Sequence, residues 1–399
     1  MTVTEPVANW GTDYDIFDPA FVRDPYPVWK GLRQSEPVPH TDRWGGSWMP
    51  TRYEDVSAVA HDSSHFSSIE VGVARVPNSY DDDGNRLRSI IASDPPDHAP
   101  ERRIMLPFFS PKAAQHYEEH TRELCNRMID EFIAGGRADA AGQYARQIPP
   151  RIIAAILGID PDRADDFTEW VQGVLELGLR DPEIREKYRI IIQDFFLEQI
   201  AHRQQNPGDD LISWLLSQKV NGEPIPMYVV RANVGLMLIA GIDTTWSSIG
   251  SALWHLAAHP QDTARLVADR SLIPGAIEEF LRAYSPVTMA RIAVEDVEVN
   301  GRMVHKGDRV LLSFPAANRD AEAFANPEDV VIDRAHNRHI AFGVGIHRCV
   351  GSNLARMEML IAVEEWLKRI PTFHLADPAA VTWAGGQVRG PRYLPVEFP

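Results

Sequence analysis

The chain has 399 residues, 56 of them acidic and 40 basic, giving a formal net charge of −16, and it holds only two cysteines, Cys125 and Cys349. An apolar share of 44% is enough for a large core and excludes wholesale disorder, while the acidic balance opposes a general nucleic-acid footprint. Two cysteines 224 positions apart make no CxxC pair, zinc knuckle or disulfide framework, and such sparse use suits a reducing cytosol.

The first twenty residues contain four acids and neither a basic n-region nor an apolar h-region, so a cleaved leader is not expected. The most apolar run, Val234 to Gly241, is eight residues, too short to span a bilayer. A cytoplasmic protein without membrane association follows as the expectation.

Residues 25–75 read as β-rich, with a strand over Trp44 to Thr51 and a short helix over Tyr53 to His61. Asn78 to Arg88 is polar and contains glycine, which predicts a surface loop. Residues 95–285 read as helix-rich: Leu124, Met128, Ile129 and Phe132 recur at helical spacing, as do Ile152, Ile153 and Ile156. Pro226 and Pro260 bracket a proline-free stretch that predicts one helix of about 33 residues, ~50 Å long. Residues 293–315 alternate around Asn300-Gly301, a hairpin signal. A helix follows over 349–369, and the C-terminal tail is again β-like. With no repeat, linker or composition shift, residues 1–399 read as a single domain of mainly α (α+β) class with small antiparallel sheets at its margins.

The chemistry concentrates in four stretches. Phe342-Gly343-Val344-Gly345-Ile346-His347-Arg348-Cys349-Val350-Gly351 sets a cysteine in a glycine-rich turn before a helix. Backbone N–H groups and the positive end of that helix favour a thiolate there, and such a thiolate is a strong axial ligand for haem iron. Inside the long helix, Ala240-Gly241-Ile242-Asp243-Thr244-Thr245 puts an acid and an alcohol in an apolar context, where Thr244 can bond back to the Ala240 carbonyl. Glu279-Phe280-Leu281-Arg282 is an ExxR, uninformative by itself because i,i+3 ion pairs are common. Asp94-Pro95-Pro96-Asp97-His98 through Arg103 starts a helix at its prolines and puts His98 and Arg102 on one face, with Pro100 in the first turn.

These four stretches resemble the motifs of the bacterial cytochrome P450 monooxygenases, and the three core ones, at 240–245, 279–282 and 342–351, follow one another along the chain as the family's do. FGVGIHRCVG matches the family's FGxGxHxCxG at every fixed position. The resemblance covers roughly Pro25 to the C-terminus. It implies haem b (iron protoporphyrin IX) between the long helix and the cysteine loop, with Cys349 as metal ligand. Phe342, Gly343, His347, Gly351, Ala240 and Gly241 would also contact the cofactor, and His98, Arg102, Arg291 and His347 would meet its propionates. Asp243 and Thr244 would be catalytic, in proton delivery. Glu279, Arg282 and Arg334 would form a structural cluster, and Cys125 would be packing.

The implied reaction inserts one atom of O2 into an apolar small organic substrate, by hydroxylation or oxidative dealkylation. Leu236, Ile239, Ala240, Val287, Met289 and Gln387 or Val388 would line the pocket, under a roof made by residues 79–92 and 170–185. No flavin or iron–sulfur signature is present, so a separate ferredoxin or flavodoxin with its NAD(P)H-dependent reductase is implied. It would dock on a local basic patch drawn from Arg103, Lys112, Arg348 and Arg356. A monomer is expected. Two alternatives keep the haem: a peroxide-dependent peroxygenase, whose members typically lack the acid–alcohol pair, and a non-enzymatic gas sensor.

Overall fold

The structure, a computed structural model, describes residues 5–399. The first four residues of the segment read for a leader lie outside the described residues.

The helix Met227–Ala258, 32 residues long, organises the chain. It is apolar almost all round, with buried residues such as Val234, Leu238, Ile242, Trp246, Ile249 and Leu253, and such a helix belongs in a core. It packs against the helices Ile148–Leu157, Ala164–Gln172, Pro182–Gln205 and Ser352–Arg369 and against the strand Gly390–Tyr393. By length and composition alone it would pass as a membrane span, contrary to the eight-residue estimate above. Its packing inside the main core and its buried Asp243 identify it as the internal axis of the fold.

Gly241 lies where this axis meets the helix Ile148–Leu157. A Cβ there would stand 2.5 Å from Cδ1 of Ile153. The expectation that Gly241 makes room for the cofactor is therefore corrected: its missing side chain lets two helices touch.

The margins carry the sheets. A five-stranded sheet runs in the spatial order His40–Thr41, Ser47–Trp48, Arg309–Ser313, Thr288–Ala293, Phe66–Ser67. Its pairs are antiparallel except for Arg309–Ser313 against Ser47–Trp48. The predicted hairpin forms between Val297–Val299 and Arg302–Val304, with Asn300 and Gly301 both at positive φ, as a two-residue turn of this hand requires. The strand expected over Trp44 to Thr51 shrinks to Ser47–Trp48, because Arg43–Gly45 forms a 3-10 turn with Trp44 at φ 56°. Nor is 25–75 mainly β. It holds the helices Tyr26–Ser35 and Tyr53–His61, and its strands are two residues each.

The helix Ile273–Ala283 anchors the segments on both sides of the cysteine loop. Glu279 is fully buried and accepts from Arg282 Nε and Nη2 (2.8 Å each), Arg334 Nε (2.9 Å), the Val331 N–H (2.8 Å) and Asn337 Nδ2 (3.1 Å). Arg282, equally buried, also donates to the carbonyls of Asn318, Pro327 and Asp329. One turn face away, Glu278 holds His339 (2.9 Å) upstream of the loop and Arg356 (2.6 and 2.8 Å) downstream of it.

Removing one member of a saturated buried ion cluster strands the others in low dielectric. Glu279→Gln is expected to cost about 3–5 kcal/mol of stability, read as a lowered denaturant midpoint. Gly241→Ala is expected to cost about 1–3 kcal/mol through overpacking on Ile153, without opening or closing the cofactor site. A Gly241→Ala variant with unchanged stability and altered haem content would reverse that assignment.

Candidate functional site

The cysteine loop is shaped by backbone hydrogen bonds and two left-handed glycines. The Cys349 N–H donates to the Phe342 carbonyl at 2.8 Å, and the Gly343 N–H to the Ile340 carbonyl at 2.9 Å. Gly343 has φ +67° and Gly345 φ +73°. A Cβ on Gly345 would stand 2.7 Å from the Ala60 carbonyl oxygen, so glycine is required there for both conformation and space. Ser352–Arg369 starts directly after Gly351 and has no side-chain cap, which leaves its terminal N–H groups toward the sulfur.

The Cys349 sulfur lies deep in the protein mass, yet no side chain covers it, and the residue is exposed. Burial pushes its thiol up. A hydrogen bond from the Gly351 N–H and the guanidinium groups of Arg102, Arg348 and Arg356 pull the other way. Cys125, by contrast, sits closed in the main core, its thiol pushed up to about 12 by burial.

His98, Arg102, Arg291 and His347 come together. The rings of His98 and His347 are 4.3 Å apart between centroids, and Nε2 of each is buried without a partner. Arg291 is buried and donates only to the neighbouring Ala290 carbonyl, at 2.8 Å; burial lowers it to about 10. Arg102 Nη2 donates to the Arg348 carbonyl, tying the helix His98–Met105 to the cysteine loop. Burial and the cations Arg291, His98 and Arg102 hold the His347 imidazole down at about 3. Among the described residues none of these four forms an ion pair with a carboxylate of the chain. Two guanidinium groups without a carboxylate partner among the described residues, and two imidazoles with orphaned Nε2 atoms, fit an anionic group, and the bare sulfur beside Arg102 fits an iron-centred one.

The helix expected to begin at Pro95-Pro96 begins instead at His98, whose N–H donates to the Asp94 carbonyl at 3.1 Å. Pro100 falls in its first turn, where no intrahelical donor is lost.

Along the core helix, Leu236, Ile239, Ala240 and Thr244 form an uncovered stripe at helical spacing amid buried neighbours, and Ala240 is exposed. Thr244 Oγ1 donates back to the Ala240 carbonyl at 2.8 Å, as the sequence predicts. Val287 and Met289 are half-buried and alternate with buried Thr288 and Ala290, so both point to one side of their strand. Val388 departs from expectation. It is bridged to Val287 and closed inside the main core, where packing and not a pocket accounts for it. Gln387 reaches the Met289 sulfur and the Val71 carbonyl, 3.4 Å each.

The roof segments are ordered by polar ties. Residues 79–87 close as a small hairpin through a Tyr80–Arg86 bridge, and the Ile90 N–H donates to Oδ1 of buried Asn233 on the core helix, at 3.0 Å. Arg356 is not a free surface cation: it is bound to Glu278 and lies 4.4 Å over the Phe342 ring. Arg103, Lys112 and Arg348 are exposed.

Asp243 is buried, and Arg392, which the motifs do not contain, holds it. Arg392 Nη2 donates to Asp243 Oδ1 at 2.8 Å, its Nη1 to Ser247 Oγ at 3.1 Å, and its Nε to Glu176 Oε2 at 2.9 Å. Burial raises the Asp243 carboxyl and Arg392 opposes the shift. Sequence reading missed Arg392, Glu278 and Asn233. Only Glu278, adjacent to the ExxR, carried a local signal.

Similarity to known proteins follows the same geometry. The family described as Cytochrome P450 matches residues 159–371. Cytochrome P450 107B1 of Saccharopolyspora erythraea is 32% identical over 400 residues, 96% of this chain and 97% of that protein. Mycinamicin IV hydroxylase/epoxidase of Micromonospora griseorubida is 32% identical over 381 residues, 92% of this chain and 93% of its own length. The structure of cytochrome P450 CYP109Q5 from Chondromyces apiculatus superposes with a TM-score of 0.87 at 31% identity, covering 97% of this chain and 98% of that one. A bare cysteine on a glycine turn, a set of arginine and histidine donors facing no carboxylate among the described residues, and full-length kinship with these oxygenases lead to one conclusion: the chain belongs to the cytochrome P450 superfamily and is a haem-binding monooxygenase.

Proposed function

We propose that Cys349 is the haem ligand of a single-domain, monomeric cytoplasmic monooxygenase. It acts on an apolar small organic substrate, by hydroxylation or oxidative dealkylation, with electrons from a separate ferredoxin or flavodoxin and its reductase. The observation that carries this reading is the uncovered Cys349 sulfur beside two arginines and two histidines that lack carboxylate partners among the described residues.

When bound, the haem supplies the oxygen-activating redox chemistry. The chain does the rest. The Gly351 N–H and nearby guanidinium groups stabilise the thiolate. His98, Arg102, Arg291 and His347 neutralise the propionates. Leu236, Ile239, Ala240, Val287 and Met289 offer an apolar surface that excludes water and orients an apolar molecule. Thr244 presents its hydroxyl beside exposed Ala240, where no side chain intervenes. Asp243, whose carboxyl is raised by burial, takes up a proton more readily than a surface carboxylate.

Electron entry is assigned to the face bearing Arg103, Lys112 and Arg348, where exposed Leu106 and Ile346 add apolar area. Arg356 leaves the set because Glu278 neutralises it.

The deciding experiment reconstitutes turnover with a ferredoxin, reductase, NAD(P)H and O2, against hydrogen peroxide alone. Product in the first arm supports the reading, and product only with peroxide overturns it in favour of the peroxygenase. Cys349→His is expected to bind haem but to lose the red-shifted Soret band of the reduced carbon monoxide complex; survival of that band would remove Cys349 as ligand. Reversing Arg103, Lys112 and Arg348 to Glu is expected to slow electron transfer at least tenfold at low salt. The deficit should shrink as salt screens the wild-type attraction, with substrate binding unchanged.

A further inference from the structure

Arg392 stands between two acids that belong to different parts of the fold. Its strand, Gly390–Tyr393, is seated directly on the core helix. A Cβ on Gly390 would stand 2.3 Å from the Ser247 Cβ, and one on Gly250 would stand 2.8 Å from the Pro391 ring. The guanidinium group also lies 4.2 Å over the Trp246 ring. Arg392 and Asp243 therefore share one rigid platform.

Glu176 reaches Arg392 from a different segment. It lies in the π-helical turn Gly173–Leu177, within the roof. That turn is seated on the helix Pro182–Gln205 instead: a Cβ on Gly173 would stand 2.0 Å from the Tyr188 ring, and one on Gly178 would stand 2.7 Å from Arg185. Tyr188 and Arg185 also donate to Glu169 Oε1 at 2.8 Å and the Val174 carbonyl at 3.0 Å. Glu176 is therefore positioned by the segment 164–205, whereas Arg392 is positioned by the C-terminal strand.

The side chains grade outward, from Asp243 at 2% exposed through Arg392 at 12% to Glu176 at 27%. Both hydrogen bonds to Asp243 go to Oδ1, and none of the described donors reaches Oδ2. The charged groups facing Asp243 are Arg392 and Glu176; the next cation, Arg146, lies on the far contact of Trp246, 5.9 Å from its ring.

We propose that Arg392 is a positioning residue for proton delivery, shared between Asp243 and Glu176 so that the roof turn sets how tightly the Asp243 carboxylate is held. With the roof seated, Glu176 draws part of the guanidinium charge outward and leaves Asp243 free to exchange a proton at Oδ2 with water. With Glu176 withdrawn, Arg392 clamps Asp243 as an ion pair. Only a proton moves, and no electron transfer or covalent step is involved. The proposal rests on the reading of Asp243 as the relay acid.

The test follows the Asp243 carboxyl itself, by infrared titration of ferric holoprotein carrying isotope-labelled aspartate. The relevant protonated-carboxyl band is the one missing in Asp243→Asn. Arg392→Gln is expected to move its midpoint to higher pH and Glu176→Gln to lower pH, with Arg392→Lys restoring most of the first shift. In turnover, Glu176→Gln is expected to lower product formed per NAD(P)H consumed several-fold and raise peroxide release, while the substrate-induced spin shift keeps its midpoint.

An unmoved band in Glu176→Gln overturns the proposal, since that half-exposed position tolerates the change even where Arg392 variants fold poorly. Loss of substrate binding in parallel with coupling in both Arg392 variants also overturns it and makes Arg392 a strut. If Asp243→Asn leaves coupling intact, the relay reading and this proposal fall together. If Asp243→Asn uncouples while the Arg392 and Glu176 variants do not shift the band, only the proposal falls.

Discussion

The buried carboxylate of Glu279 sets the frame on which the cysteine loop hangs. Five donors reach it, two from Arg282 on its own helix and three from residues 331, 334 and 337, and these last three fix a stretch of chain with no regular secondary structure of its own. Irregular chain is held in a protein interior only where its polar groups find partners. Arg282 supplies three of them by donating to carbonyls at 318, 327 and 329, and Asn318 passes the order on through the Ile340 N–H. Three residues later Gly343 turns the chain into the loop. The neighbouring Glu278, held well below the usual carboxylate range at about 2 by Arg356 and His339, closes the frame from the far side of Cys349. The sulfur can remain bare because its backbone is fastened elsewhere.

That frame reconciles a net charge of −16 with a site that needs positive charge. Several carboxylates around the loop, Glu278 and Glu279 among them, are consumed in fixed pairs. His98, Arg102, Arg291 and His347 are left without acid partners among the described residues. The electrostatics of the site are local and owe nothing to the overall balance. The distinction also explains why Arg356, near the ligand in sequence, is unsuited to docking while Arg348 is free.

The sequence was most legible where one residue type is forced by backbone or chemistry. The cysteine loop, the hairpin at Asn300-Gly301, the helix between Pro226 and Pro260 and the cluster of Glu279, Arg282 and Arg334 all stand where spacing and motif put them. Illegible were the features that depend on distant segments meeting. Gly241 adjoins Ala240 in the motif, but one position turns a helical residue by about 100°, and that rotation takes it from the cavity stripe to Ile153. Val388 is apolar in a pocket or in a core, so its residue type says nothing about which. Arg392 lies 149 positions from Asp243, in a tail whose strands are three or four residues long, and no local pattern marks it.

Comparing the two buried acids separates framework from function. Glu279 and Asp243 are both hidden from solvent, but Glu279 is lowered and Asp243 raised. The difference is the degree of saturation. Glu279 has both oxygens occupied by charged or backbone donors, so its ionised form is fixed and it has no reason to exchange a proton. Asp243 has one oxygen bound and one without a protein donor, and its cation is shared with a second acid. Burial in that half-satisfied state brings the charged and neutral forms closer in free energy than they are in a surface carboxylate, which favours a role in moving protons. A fully paired Asp243 would add to the stability of the core helix and would be inert.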